Sequence, residues 1–131
     1  MFDIPIGKQA TLAQKFVPVH PDPAIGTNHG VSLMLFGKHS PQYRDAAATM
    51  LKSRAKMAKD DGDLDVEAAV KLSAEFVADC CSGYEIGGKA ATYDRDALAE
   101  TLGLEEYRWL RIQAERYSNQ DDNFFKKPAK K

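Results

Sequence analysis

From Asp65 to Ser82 the side chains fall into a helical repeat, with Val66, Ala69, Val70, Ser73, Phe76, Val77 and Cys80 on one stripe, and the repeat runs out into Gly83-Tyr84-Glu85-Ile86-Gly87-Gly88-Lys89. No other stretch limits the fold as much. A helix of this length is marginal in water, so its stripe must be covered by something else in the chain. Full burial of Val66, Val70, Phe76 and Val77 would contribute on the order of 6 to 12 kcal/mol before conformational entropy is subtracted.

The preceding segment supplies a partner. Ser40-Pro41 reads as an N-cap followed by proline at the first helical position, and a helix to about Asp60 presents Tyr43, Ala46, Ala47, Met50 and Met57 inward. Lys52, Lys56 and Lys59 lie outside that face, and Arg54 falls on it, where it can lie along the surface through its aliphatic stem or pair with an acid. Asp61-Gly62-Asp63 stops the helix, and so short a turn makes the two helices antiparallel neighbours.

Strand patterns are confined to the N-terminal third. Residues 9 to 17 alternate with period two, and Val31 to Phe36 is apolar on both faces, Val31, Leu33 and Leu35 on one and Met34 and Phe36 on the other. The link between them, with Pro18, Pro21, Pro23, Gly26 and Gly30, is too long for a hairpin turn and reads as a mobile loop. Downstream, Asp94 caps a short helix from Ala97 to Leu102 that ends at Gly103, and a last helix runs from about Leu104 to Ser118. The expected fold is therefore mainly α: one domain over residues 1–118, about four helices with a small N-terminal two-stranded antiparallel element. Residues 119–131, ending in Lys126-Lys127-Pro128-Ala129-Lys130-Lys131, read as a flexible charged tail.

With 131 residues, 44% of them hydrophobic and 28% charged, the chain is long and apolar enough to form a core without covalent staples. Its 18 basic and 19 acidic residues give a net charge of −1, so the molecule as a whole has no field for nucleic acid or an anionic membrane. No apolar run could span a bilayer, and Met1-Phe2-Asp3-Ile4-Pro5 lacks the features of a signal peptide, which sets the expectation of a cytoplasmic protein. Cys80 and Cys81 are adjacent, diverge on a helix, and are expected to be reduced core residues.

Three chemical patterns compete. Gly83, four residues, then Gly88-Lys89 has the outline of a phosphate-binding loop, but Ala90 stands where a magnesium-binding hydroxyl belongs and a helix, not a strand, is expected before it. Lys89 is then a surface lysine. Leu98-Ala99-Glu100-Thr101-Leu102-Gly103-Leu104, followed by Trp109 and Ile112, has helix-turn-helix spacing, which makes a small DNA-binding regulator the alternative function. Its recognition turn would carry Glu105 and Glu106, which repel phosphate. The histidines at 20, 29 and 39 have no sequence-evident catalytic or metal partners, so no enzyme activity, metal or cofactor is expected.

Two segments carry a family likeness. Phe36-Gly37-Lys38-His39-Ser40-Pro41-Gln42-Tyr43-Arg44, together with Gly83-Tyr84-Glu85, Gly88-Lys89, Tyr93-Asp94 and Ala97-Leu98, resembles the tail assembly chaperones of long-tailed, lambda-like bacteriophages, over about residues 9 to 118. Members often have tryptophan at the position of Tyr84. The resemblance implies a protein of the host cytoplasm, absent from the finished virion, that binds and coats the tape measure protein and self-associates around it. It also implies a longer form made by programmed frameshift, which recruits the major tail protein.

Phe124-Phe125-Lys126-Lys127 and Lys130-Lys131 can be encoded by slippery codons, as such a frameshift needs. Coating an extended helix requires apolar contact surface. The residues that could provide it for client or oligomer are Val31, Leu33, Met34 and Phe36 on the second strand and Trp109, Ile112 and Arg116 on the last helix. Trp109, with Arg108, Arg111 and Arg116 nearby, is readable as core or as interface.

Overall fold

The computed structural model describes residues 11–58 and 63–124. In chain order the elements are β1 (Gln14–Phe16), β2 (Ser32–Leu35), α1 (Pro41–Met57), α2 (Val66–Asp79), β3 (Cys81–Ile86), β4 (Lys89–Ala91), α3 (Arg95–Leu102) and α4 (Arg108–Asn119). Single 3-10 turns occupy Glu105–Tyr107 and Asp121–Asn123.

The strands form one antiparallel sheet in the order β1-β2-β3-β4. This corrects the expected mainly α domain: the chain is mixed, with helices packed on a four-stranded sheet, and the N-terminal pair is half of that sheet. The error has a local cause. α2 stops at Asp79 instead of reaching Ser82, and the chain enters β3 at Cys81. Gly87 and Gly88, at φ +63° and +77°, are the centre of a two-residue hairpin loop between Ile86 and Lys89. Both positions need positive φ in a type I′ turn, and glycine adopts it without a side-chain clash. Gly83 does not end a helix; it pairs with Met34 in mid-strand.

A bulge explains which β3 side chains face inward. Met34 pairs with Gly83 but Leu35 with Cys81, so Ser82 is the extra residue. Strict alternation from Tyr84 would send Ser82 into the core. The bulge puts Cys81 there, 5% exposed, and leaves Ser82 in solvent.

Leu33 and Leu35, 1% and 0% exposed, form the centre of the core with Ala74, Val77 and Ala78 of α2, Leu98 and Leu102 of α3, and Leu110 and Ala114 of α4. A second cluster joins α1 to α2: Ala46, Phe76 and Cys80, flanked by Tyr43, Ala47 and Met50, with the Tyr43 and Phe76 rings edge-on at 5.0 Å. The end of α2 is thus used on two sides. Leu72, Ala74, Phe76, Val77 and Ala78 are buried, whereas Val66 is 79% exposed and Ala69 is exposed. The single-stripe estimate fails at Val66, which contributes little burial.

Three of the four helices, α1, α2 and α3, start on a side-chain cap. The Ser40 hydroxyl accepts from Tyr43 N–H and donates to Gly37 O, Asp65 accepts from Ala68 N–H, and Asp94 accepts from Ala97 N–H. α1 ends at Met57; residues 59–62, which were expected to include the helix stop at Asp61-Gly62, lie outside the described residues, as do Gln9 and Ala10 of the expected first strand. At the other end the expected tail begins too early. α4 runs through Asn119, and the following turn returns Phe124 to 3% exposure beside Tyr117 and Gly37. The lysine-rich residues 125–131 lie outside the described residues.

Candidate functional site

The proline-rich link expected to be a mobile loop is instead tied down. Val19 N–H donates to Gln113 Oε1 at 2.8 Å and Gln113 Nε2 donates to Val19 O at 2.7 Å, so one α4 side chain mimics a strand neighbour. His29 Nδ1 accepts from Val31 N–H at 3.0 Å, which assigns the proton to Nε2; that nitrogen lies 2.6 Å from Pro18 O and donates to it. His20 Nδ1 accepts from Asp22 N–H, and the chain turns back through His20 N–H to Gly26 O.

This closed loop brings both histidines to Trp109. The His20 and Trp109 ring centroids are 4.9 Å apart with the planes at 62°, and His29 is 6.2 Å away. The indole N–H donates to Glu106 O at 3.0 Å. Beside Trp109 is a cleft of about 480 Å³ lined by His20, His29, Val31, Glu106, Tyr107 and Leu110. Val31, Tyr107 and Leu110 also line a second cleft, of about 330 Å³, that extends to Tyr84, Ile86, Ala97 and Leu98. Ile86 and Tyr107 are 60% and 36% exposed. Through their shared residues the two clefts form one mostly apolar surface running from Trp109 to Ile86, where the end of β3 faces Ala97, Leu98 and Thr101 of α3.

The seven expected contact residues are only partly gathered. Val31 and Trp109 line this surface, and Leu33, 1% exposed, lines the bottom of its second cleft as part of the core. Met34 alternates to the other face of the sheet, which carries Lys15, Ser32 and Glu85 in a hydrogen-bonded and ionic cluster. Phe36 is half-buried where the chain leaves β2, its N–H bonded to Cys80 O. Ile112 and Arg116 are exposed along α4 and line neither cleft. Arg111, placed with Trp109 on a possible interface, is 7% exposed and donates to Leu102 O at the end of α3, a structural role. Sequence reading missed Ile86, Tyr84 and Tyr107 as surface contacts. A hairpin centred on Gly87-Gly88 would have put Tyr84 and Ile86 on one face.

The phosphate-loop outline dissolves into this hairpin. Gly88 N–H donates to Gly30 O, and Lys89 opens an exposed edge strand, not a helix. Glu105 and Glu106 are exposed ahead of α4, in the turn that a DNA reader would offer to the groove. Cys80 and Cys81 are free, and burial raises their pKa values to about 12 and about 11, so both are thiols at neutral pH. Among the described residues no three His, Cys, Asp or Glu side chains gather at metal-binding distance, and no helix is long and apolar enough to cross a membrane. No protein-family model, curated protein or solved structure matches the chain.

Proposed function

We propose that this protein is a non-catalytic tail assembly chaperone that coats the tape measure protein of a long-tailed phage. The observation that carries the reading is the continuous apolar surface from Trp109 through Val31 and Tyr107 to Ile86. A groove of this kind takes an amphipathic helix by its apolar stripe, with anchors recurring every three to four residues. The sequence resemblance supplies the client's identity. Three of the residues that carry it, Tyr84, Ala97 and Leu98, border the same surface.

In this reading the chain works in the host cytoplasm, associates with further copies along the client, and is left behind when the tube forms. A frameshifted longer form recruits the major tail protein. Reading the last codons of the gene tests that part: a slippery run with an open overlapping frame supports it, and the absence of either removes it.

Co-expression with the tape measure protein tests the central part. The client is expected to remain soluble and co-elute with the chain, and Ile86→Asp or Tyr107→Asp, at exposed positions, is expected to abolish co-elution while leaving the circular dichroism spectrum intact. Co-elution unaffected by both substitutions would remove the surface assignment. Salt-sensitive binding to a defined DNA duplex, with none to the client, would favour the regulator instead.

A further inference from the structure

A second groove lies between α2 and α3, away from the Trp109 surface. The two helices are antiparallel: Arg95, at the start of α3, bonds to Asp79 at the end of α2, and Gly103 at the end of α3 lies against Ala74. α2 therefore extends beyond α3 by about two turns. Its leading residues, Val66 and Val70, lie beyond the end of α3, and Leu104, just after α3, lines the same groove. The result is an apolar groove of about 580 Å³, floored by Val70, Ala74, Ala99 and Gly103, with Val66 and Leu104, 79% and 44% exposed, at its lips.

The charges around this groove select its occupant. Arg95 is engaged by Asp79 at 2.7 Å and Asp96 at 3.1 Å. The other charged residues lining the groove are Glu67, Glu75, Glu100 and Glu105 against Lys71. Carboxylates on both sides of an apolar trough attract a partner that is apolar along its centre and cationic along its edges, and repel one with acidic edges.

We propose that the α2–α3 groove binds an amphipathic helix whose apolar stripe is flanked by lysine or arginine. The trough between two helices has the shape for a third, and its span from Val66 to Glu75 matches about two to three helical turns. This groove and its occupant are separate from the Trp109 surface and the client bound there.

The test uses the full chain and three fluorescently labelled synthetic peptides: a leucine-striped helix flanked by lysine, the same helix flanked by glutamate, and a shuffled leucine–lysine sequence without a stripe. Anisotropy titration is expected to show binding of the first that weakens with salt, with the other two weaker by roughly tenfold or more. Glu100→Lys with Glu105→Lys is expected to weaken the lysine-flanked helix by roughly tenfold. Val66→Asp and Leu104→Asp, at exposed positions, should each weaken it as well, with the fold checked by circular dichroism. No binding, equal affinity for lysine-flanked and glutamate-flanked helices, or indifference to the lip substitutions overturns the proposal. Because the readout is peptide affinity, it stands or falls separately from co-elution with the tape measure protein.

Discussion

At the scale of single residues, the molecule depends on a few close backbone approaches. Gly30 has φ +73°, and a Cβ there would sit 2.9 Å from Gly87 Cα and 3.0 Å from Gly88 N. Both neighbours are backbone, so nothing flexible can give way. Gly30→Ala is expected to destabilise the fold by roughly 2 to 4 kcal/mol in urea unfolding, from left-handed strain plus overpacking. The buried thiols make a different prediction. Burial raises Cys80 to about 12 and Cys81 to about 11 from an ordinary value of 9.0. Above pH 9 the unfolded chain releases these protons while the native chain keeps them. Stability is therefore complete below that pH and falls as pH rises, by at most about 1.4 kcal/mol per pH unit for each thiol. Tyr43, Tyr93 and Tyr117 are also raised, from 10.0, so the window from pH 9 to 10 belongs to the cysteines. Unfolding midpoints across that window should decline in the parent chain and flatten in a Cys80→Ala, Cys81→Ala double variant; an equal decline in both contradicts the assignment.

At the scale of elements, what could be read in advance was what is local. The caps Ser40 and Asp94 and the stop at Gly103 depend on groups within three or four residues of the backbone they satisfy, and each is where the pattern put it, while Asp65, expected to open its helix, caps it instead. β3 and β4 depend on β2, which pairs with β3 across an intervening helical pair, and a three-residue β4 has too little pattern to announce itself. The glycines of this segment were consistent with a helix exit until the pairing was seen. The loop from Pro18 to Gly30 was misread for a related reason: its order comes from Gln113, 94 residues from Val19. Gln113→Ala, which removes both bonds to Val19, is expected to cost about 1 to 3 kcal/mol and to expose this loop to limited proteolysis. Gln113→Glu keeps the acceptor and loses the donor, so its cleavage rate should lie between the two. Equal proteolysis of all three chains would mean that Gln113 does not hold the loop.

At the scale of the whole molecule, a sheet covered on the Leu33 and Leu35 face by α2, α3 and α4 leaves apolar side chains uncovered where strands or helices outrun their neighbours. Ile86 is exposed at the end of β3, and Val66 where α2 extends past α3. The candidate site was legible as a tryptophan and a strand, Trp109 and Val31. Its remaining members, Tyr107 and Ile86, join only after the hairpin and the folded loop are in place. The chain has one tryptophan, and it lies on the surface proposed to hold the client. Titrating a tryptophan-free segment of the tape measure protein into the chain while recording Trp109 emission is therefore the most direct test. Binding is predicted to shift the emission to shorter wavelength and to saturate, with the shift lost in Tyr107→Asp. A segment that co-elutes with the chain but leaves Trp109 emission unchanged, or one that does not bind at all, contradicts the account.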